Sequence, residues 1–218
     1  MLVLDITLHV LDTGPLLCLG SSQPLRESYD TFMLKHGRVV AAVYSELQRQ
    51  QALDVTKWGG DLEARKARRD AARGVLRHYS DSLLGSSKLV AVSAVDPSLL
   101  DAITQELKCD SEAKARHYGN SSIPSNEGEA HSIYAILTTI EGAACFVSND
   151  NGARMLARRH AIKAYTLVDL FRYICFKNKV DAREKKKMFR ALVTCSRKLD
   201  IGDVIVNVSD LDISNVPI

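Results

Sequence analysis

The sequence predicts an α/β protein, a parallel sheet flanked by helices and followed by a C-terminal helix-strand extension. Three observations predict it. Short apolar runs recur along the chain, segments of helical periodicity lie between them, and most runs stop at turn-forming Asp, Ser, Asn, Gly or Pro. Strands that alternate with helices pair in parallel and are covered on both faces. At 218 residues the chain divides into one domain over 1–176 and an extension over 177–218. A compact domain of this size buries about 70% of the surface its unfolded chain exposes, so packing alone can hold it.

Each element has a local reason. Residues 7–12 form an apolar run closed by Asp12, Thr13, Gly14 and Pro15, which reads as a buried strand, with Pro15 suited to the first turn of a helix. Residues 24–35 read as a helix broken at Gly37, and 38–41 as a short strand leading into a helix with Tyr44, Glu46 and Leu47. The pattern lapses around Trp58, Gly59 and Gly60. Residues 61–79 then read as one long charged helix, 88–93 as a strand and 98–107 as a helix. Residues 109–126 show no clear periodicity and are expected to be a loop. Asn126 starts a helix with acids in its first turn, where the helix dipole favours them. A strand over 144–150, a short helix through Met155 and Leu156, a strand over 162–165 and a helix over 167–176 complete the domain. In the extension, Asp181 and Glu184 are spaced like a capping box, and Met188, Ala191, Leu192, Cys195 and Leu199 form an apolar helical stripe. Residues 203–208 read as a strand.

Composition excludes several classes. With 46% hydrophobic and 25% charged residues the chain is neither disordered nor collagenous. No apolar run approaches the roughly 18 residues of a spanning helix, and residues 1–11 are interrupted by Asp5 and His9, so a cytoplasmic protein without a membrane partner is expected. Cys18, Cys109, Cys145, Cys175 and Cys195 are odd in number and lack a CxxC, which is neither a disulfide framework nor a zinc signature. No GxGxxG or P-loop follows a strand, which disfavours a dinucleotide-binding protein. A net charge of +3 is compatible with an anionic partner and does not require one.

The acids carry the chemical signal. In an open parallel sheet, ligands bind beyond the carboxyl ends of the strands. Asp12 and Asp150 end strands, Glu46 follows a strand by about a turn of helix, and Glu129 lies in a first helical turn. Glu127, two positions earlier, reads as a cap. Four carboxylates so close would repel one another unless a divalent cation neutralised them, and hard oxygen ligands suit Mg²⁺ or Mn²⁺.

These residues resemble the PIN-domain family of metal-dependent nucleases, including the VapC-type toxins. The matches are Leu11 to Leu16 around Asp12, Val43 to Leu47 around Glu46, Gly128 to Ala130 with Ile133 and Ala135 around Glu129, and Val147 to Asp150 with Ala153 and Leu156. The resemblance covers about residues 7–176. It implies a PIN-like parallel sheet, an Mg²⁺- or Mn²⁺-dependent endoribonuclease using Asp12, Glu46, Glu129 and Asp150, and RNA hydrolysis to a 5′-phosphate and a 3′-hydroxyl. It also admits a toxin-antitoxin setting, with a protein antitoxin or a homo-oligomer as partner. There are two departures. Asn149 and Asn151 flank Asp150 where many relatives carry a further acid, which leaves one or two metals open, and the stretch 52–87 is longer than in compact toxins.

Further residues are placed around this set. Thr13, Ser148 and Asn151, with Asn149, could orient the acids, although turns favour the same residue types. Arg154, Arg158 and Arg159, with Lys163, follow Asp150 and are expected to hold an RNA backbone. Tyr44, Trp58 and Tyr134 read as bases' stacking partners or as core, and His131 as a helix residue. Residues 61–78 and 177–198 are rich in Lys and Arg, and either could be a phosphate track or a solvated face. The alternative function is a noncatalytic PIN-like RNA-binding or scaffold protein.

Overall fold

A computed structural model describes residues 8–55, 61–85, 88–92, 96–118 and 126–199. The expected strand at 203–208, Trp58 and the Gly59–Gly60 break lie outside them. Five strands, β1 (Leu8–Leu11), β2 (Gly37–Val40), β3 (Leu89–Val90), β4 (Ala144–Val147) and β5 (Lys163–Tyr165), form one sheet in the order β3-β2-β1-β4-β5. Every pairing is parallel. The helices between them are α1 (Thr13–Ser21), α2 (Gln23–His36), α3 (Ala41–Gln51), α4 (Leu62–Tyr79), α5 (Pro97–Tyr118), α6 (Glu127–Thr138) and α7 (Asn151–Arg159), and α8 (Leu167–Lys177) and α9 (Ala182–Leu199) follow β5. Parallel strands need such crossovers, and these helices supply them.

The two faces of the sheet bury different clusters. Cys145 and Val147 of β4 join the apolar side chains of α1–α4, α8 and α9, whereas Phe146 between them joins Ile103, Leu107, Ile133, Tyr134 and Leu156 of α5, α6 and α7. That is the period-two alternation of a strand covered on both sides. The stripe of α9 is buried on the domain itself. Met188, Leu192 and Leu199 belong to the first cluster, Ser21 Oγ donates to Cys195 Sγ at 3.0 Å, and Arg68 Nε donates to the Leu199 carbonyl at 2.6 Å.

Two expectations at element level are corrected. The loop expected over 109–126 is helical as far as Tyr118, because α5 continues past Leu107. Beyond Leu107 the helix is mostly polar, so no apolar period marks it. The strand expected over 88–93 shrinks to Leu89–Val90, both half-buried, at the sheet's edge. Gly37, read as a breaker, opens β2 while its N–H closes α2 on the Met33 carbonyl. No helix among the described residues is long and apolar enough to cross a membrane.

Candidate active site

The chain leaves β1 toward β2 on one side and returns to β4 on the other, so the crevice between β1 and β4 is the topological switch point where open α/β sheets take ligands. Asp12 stands there. Its N–H donates to the Val147 carbonyl at 3.0 Å, which continues the β1–β4 ladder, and its Oδ1 caps α1 by accepting from the Thr13 N–H at 2.7 Å. Ser148, one residue past β4, donates Oγ–H to Asp12 Oδ2 at 2.7 Å and accepts from the Asp150 N–H at 3.0 Å. One hydroxyl thus ties the two strand ends together, and Asp12 is 4% exposed.

Helices bring two glutamates to the same point. Thr13 Oγ1 donates to Glu46 Oε2 at 2.7 Å, and Gln50, one turn further along α3, donates Nε2 to Glu46 Oε1 at 3.1 Å. The first turn of α6 arrives with Gly128 between the acids. A Cβ there would sit 3.1 Å from Glu46 Oε2 and 3.8 Å from Asp12 Oδ1, so any larger residue would crowd them. Next to it, Glu129 has its buried Oε2 without a hydrogen-bond partner among the described residues. Glu127 points elsewhere, pairing with Arg49 at 3.1 Å on the surface. Asp150 is exposed, and its Oδ1 caps α7 through the Ala153 N–H at 2.7 Å.

Burial and mutual repulsion set the charge state. Burial, with repulsion from Glu46 and Asp150, pushes Asp12 up to about 7, against the opposing hydrogen bonds of Ser148 and Thr13. Glu129 is raised well above the usual carboxylate range, first by burial and then by Asp12, Glu46 and Asp150. Burial also raises Glu46, opposed by its bonds to Thr13 and Gln50. All four acids therefore share one field. They are hard oxygen donors, and the unpartnered Glu129 oxygen is an acceptor that a cation would satisfy. Among the described residues no three Asp, Glu, His or Cys side chains lie close enough together to form a metal-ligand group.

The arginines expected to hold RNA have partners within the fold. Arg154 is 7% exposed, with Nη1 on the Ser148 carbonyl at 2.9 Å and Nη2 on Asn151 Oδ1 at 3.2 Å. It braces the turn that carries Ser148 and Asp150, and it engages the Asn151 amide oxygen. Arg158 and Arg159 lie in the last turn of α7, about 10 Å along the helix from Asn151. A helix that follows a parallel strand runs back beside the sheet, which carries them away from the acids. There Arg158 Nη2 donates to the Ala164 carbonyl at 3.0 Å and Arg159 pairs with Glu106 at 3.5 Å. Asn149 accepts from the Leu167 N–H at 3.4 Å, and Tyr134 is buried core whose hydroxyl accepts from the Asp96 N–H at 2.7 Å. Two supporting residues escaped the sequence reading: Gln50, whose signal is its i,i+4 spacing from Glu46, and Arg154 as a brace. No family model, no curated protein and no solved structure matches the chain.

Proposed function

We propose that the chain is a PIN-like endoribonuclease that depends on Mg²⁺ or Mn²⁺ and hydrolyses RNA phosphodiester bonds at the crevice between β1 and β4. The observation that carries this reading is that three separate elements place Asp12, Glu46 and Glu129 around the switch point, where burial and mutual repulsion raise all three. The cation would be held by Asp12, Glu46, Glu129 and Asp150. When bound, it supplies Lewis-acid polarisation of a phosphoryl oxygen and stabilises charge on the leaving oxygen.

The protein's own residues prepare that site. Ser148 and the Thr13 N–H fix both oxygens of Asp12, Thr13 Oγ1 and Gln50 fix those of Glu46, and Arg154 holds the Ser148 backbone so that its hydroxyl cannot drift. Such oriented carboxylates need little rearrangement when substrate arrives. Noncatalytic RNA binding is the second reading. One experiment separates them: end-labelled single-stranded RNA incubated with the chain and Mg²⁺, Mn²⁺ or EDTA. Cleavage with either metal, its loss in EDTA and its loss in Asp12→Asn are expected. Undiminished cleavage in EDTA, or by Asp12→Asn, overturns the assignment, and tight binding without cleavage selects the second reading.

A further inference from the structure

Two helices carry dense basic charge, and the structure separates them. On α4 three of the six Lys and Arg side chains stand beside an acid of the same helix, Lys66 with Glu63 at 3.0 Å and Arg69 and Arg73 with Asp70 at 3.3 and 3.7 Å, and Arg65 and Arg68 donate to the Asp61 and Leu199 carbonyls. On α9 only Lys187 has an acid beside it among the described residues. That helix holds seven basic residues against Glu184 alone, so with a net charge of +3 for the whole chain the rest of the protein is net acidic.

The placement follows from helical phase. At about 100° per residue, Arg183, Lys186, Lys187, Arg190 and Arg197 fall on one face, and Met188, Phe189, Leu192, Cys195 and Leu199 on the opposite one, which is buried. The buried stripe fixes the cationic face outward. Arg183, Lys186, Arg190, Arg197 and Lys198 are exposed and have no ion-pair partner among the described residues, while Lys187 has Glu184 at 3.7 Å. Like charges three and four residues apart cost a helix a few tenths of a kcal/mol per pair. The last-turn pair, Arg197 and Lys198, is favoured by the helix dipole, but Arg183, Lys186 and Arg190 have no such compensation.

We propose that the outward face of α9 is a second nucleic-acid surface, separate from the acidic crevice, that takes the phosphate backbone of single-stranded RNA without reading its bases. Closely spaced cations, four of the five on this face without an ion-pair partner among the described residues, match a polyanion whose condensed counter-ions they displace, and each displaced ion steepens the salt dependence. None of these cations bonds to Asp12, Glu46, Glu129 or Asp150 among the described residues, so the surface stands independently of the catalytic reading.

The test is a binding titration of labelled oligouridine in EDTA, where no metal-dependent cleavage intervenes, between about 50 and 200 mM salt. Removing three phosphate contacts by Arg183→Gln, Lys186→Gln and Arg190→Gln together should weaken binding at the lowest salt at least tenfold and reduce the logarithmic salt slope by about 2, from roughly 0.7 per cation lost on a single strand. The control makes the same charge change on α4, Lys66→Gln, Arg69→Gln and Arg73→Gln, and should leave the slope unaltered. Melting curves of both triple variants establish that they fold. Equal effects from the two triples, an unchanged slope in the α9 triple, or no binding by the wild-type chain overturns the proposal. Tighter binding of a labelled poly-glutamate peptide than of oligouridine, lost in the α9 triple, assigns the face to an acidic protein segment instead. Failure of metal-dependent cleavage touches only the catalytic reading.

Discussion

Asp12 shows how much of this site rests on single side chains. Buried in the fold, it keeps its proton up to about pH 7 against an ordinary value of 3.8. Between those values the folded state binds more protons than the unfolded one, so the stability that this proton provides is complete below about pH 4 and is lost as the pH rises through about 7. Glu46 and Glu129 are raised too and add in the same direction. In EDTA, melting temperature should therefore fall from pH 4 to pH 8, and Asp12→Asn, which cannot ionise, should fall less and melt higher than wild type at the alkaline end. Superimposable curves for the two proteins would show that Asp12 is not the strained group. Residue by residue, the sequence was informative where chemistry and strand position coincide. Asp12 and Asp150 follow apolar runs, and Glu129 lies on the inward side of its turn while Glu127 does not, which a one-dimensional spacing can suggest. Arg154 could not be read so. Its distance from Asp150 suits a phosphate contact and a backbone brace equally, and only burial decides between them.

At the scale of elements, helix contacts determine how the site is held. Helix α1 begins at Asp12 and crosses α4 at Gly20 and Gly74, where a Cβ on Gly20 would overlap the Ala71 carbonyl and one on Gly74 the Gly20 carbonyl. Alanine normally improves a helix interior by up to about 1 kcal/mol over glycine. Here the overlap is with backbone, which cannot swing aside as a side chain does, and forcing a packed contact apart costs typically 1–3 kcal/mol. The net expectation for Gly74→Ala is destabilisation of about 1–2 kcal/mol, or some 2–8 °C in a chain of this length. A melting temperature equal to or above wild type would mean that the crossing is loose. Neither glycine stands out in sequence, because the close approach links positions 54 residues apart. The same limit explains α5 and the arginines of α7. Apolar periodicity sees only buried faces, so the polar half of α5 was invisible. Nearness in sequence to Asp150 said nothing of the roughly 10 Å by which α7 removes Arg158.

For the whole molecule, the balance lies between a fold that assembles acids and a cation that would relieve them. The sheet order brings the end of β1 beside the end of β4, and the helices α3 and α6 add Glu46 and Glu129, residues far apart in the chain that gather only on folding. A cation that binds this gathering and not the unfolded chain stabilises by about 2.7 kcal/mol at a hundred times its dissociation constant. For a chain of this length that is roughly 5–10 °C in melting temperature. The effect should be largest at pH 8 and shrink as the pH falls through about 7, because protons on Asp12 and Glu129 then compete with the cation for the same oxygens. Mg²⁺ and Mn²⁺ should each raise the melting temperature of the wild-type chain at pH 8. In Asp12→Asn the rise should largely vanish, since an amide keeps the shape and removes the charge that holds the ion. This readout does not involve RNA. If neither metal moves the melting temperature at pH 8, the acids are a structural cluster and the metal-dependent mechanism fails with them, whatever α9 does with RNA.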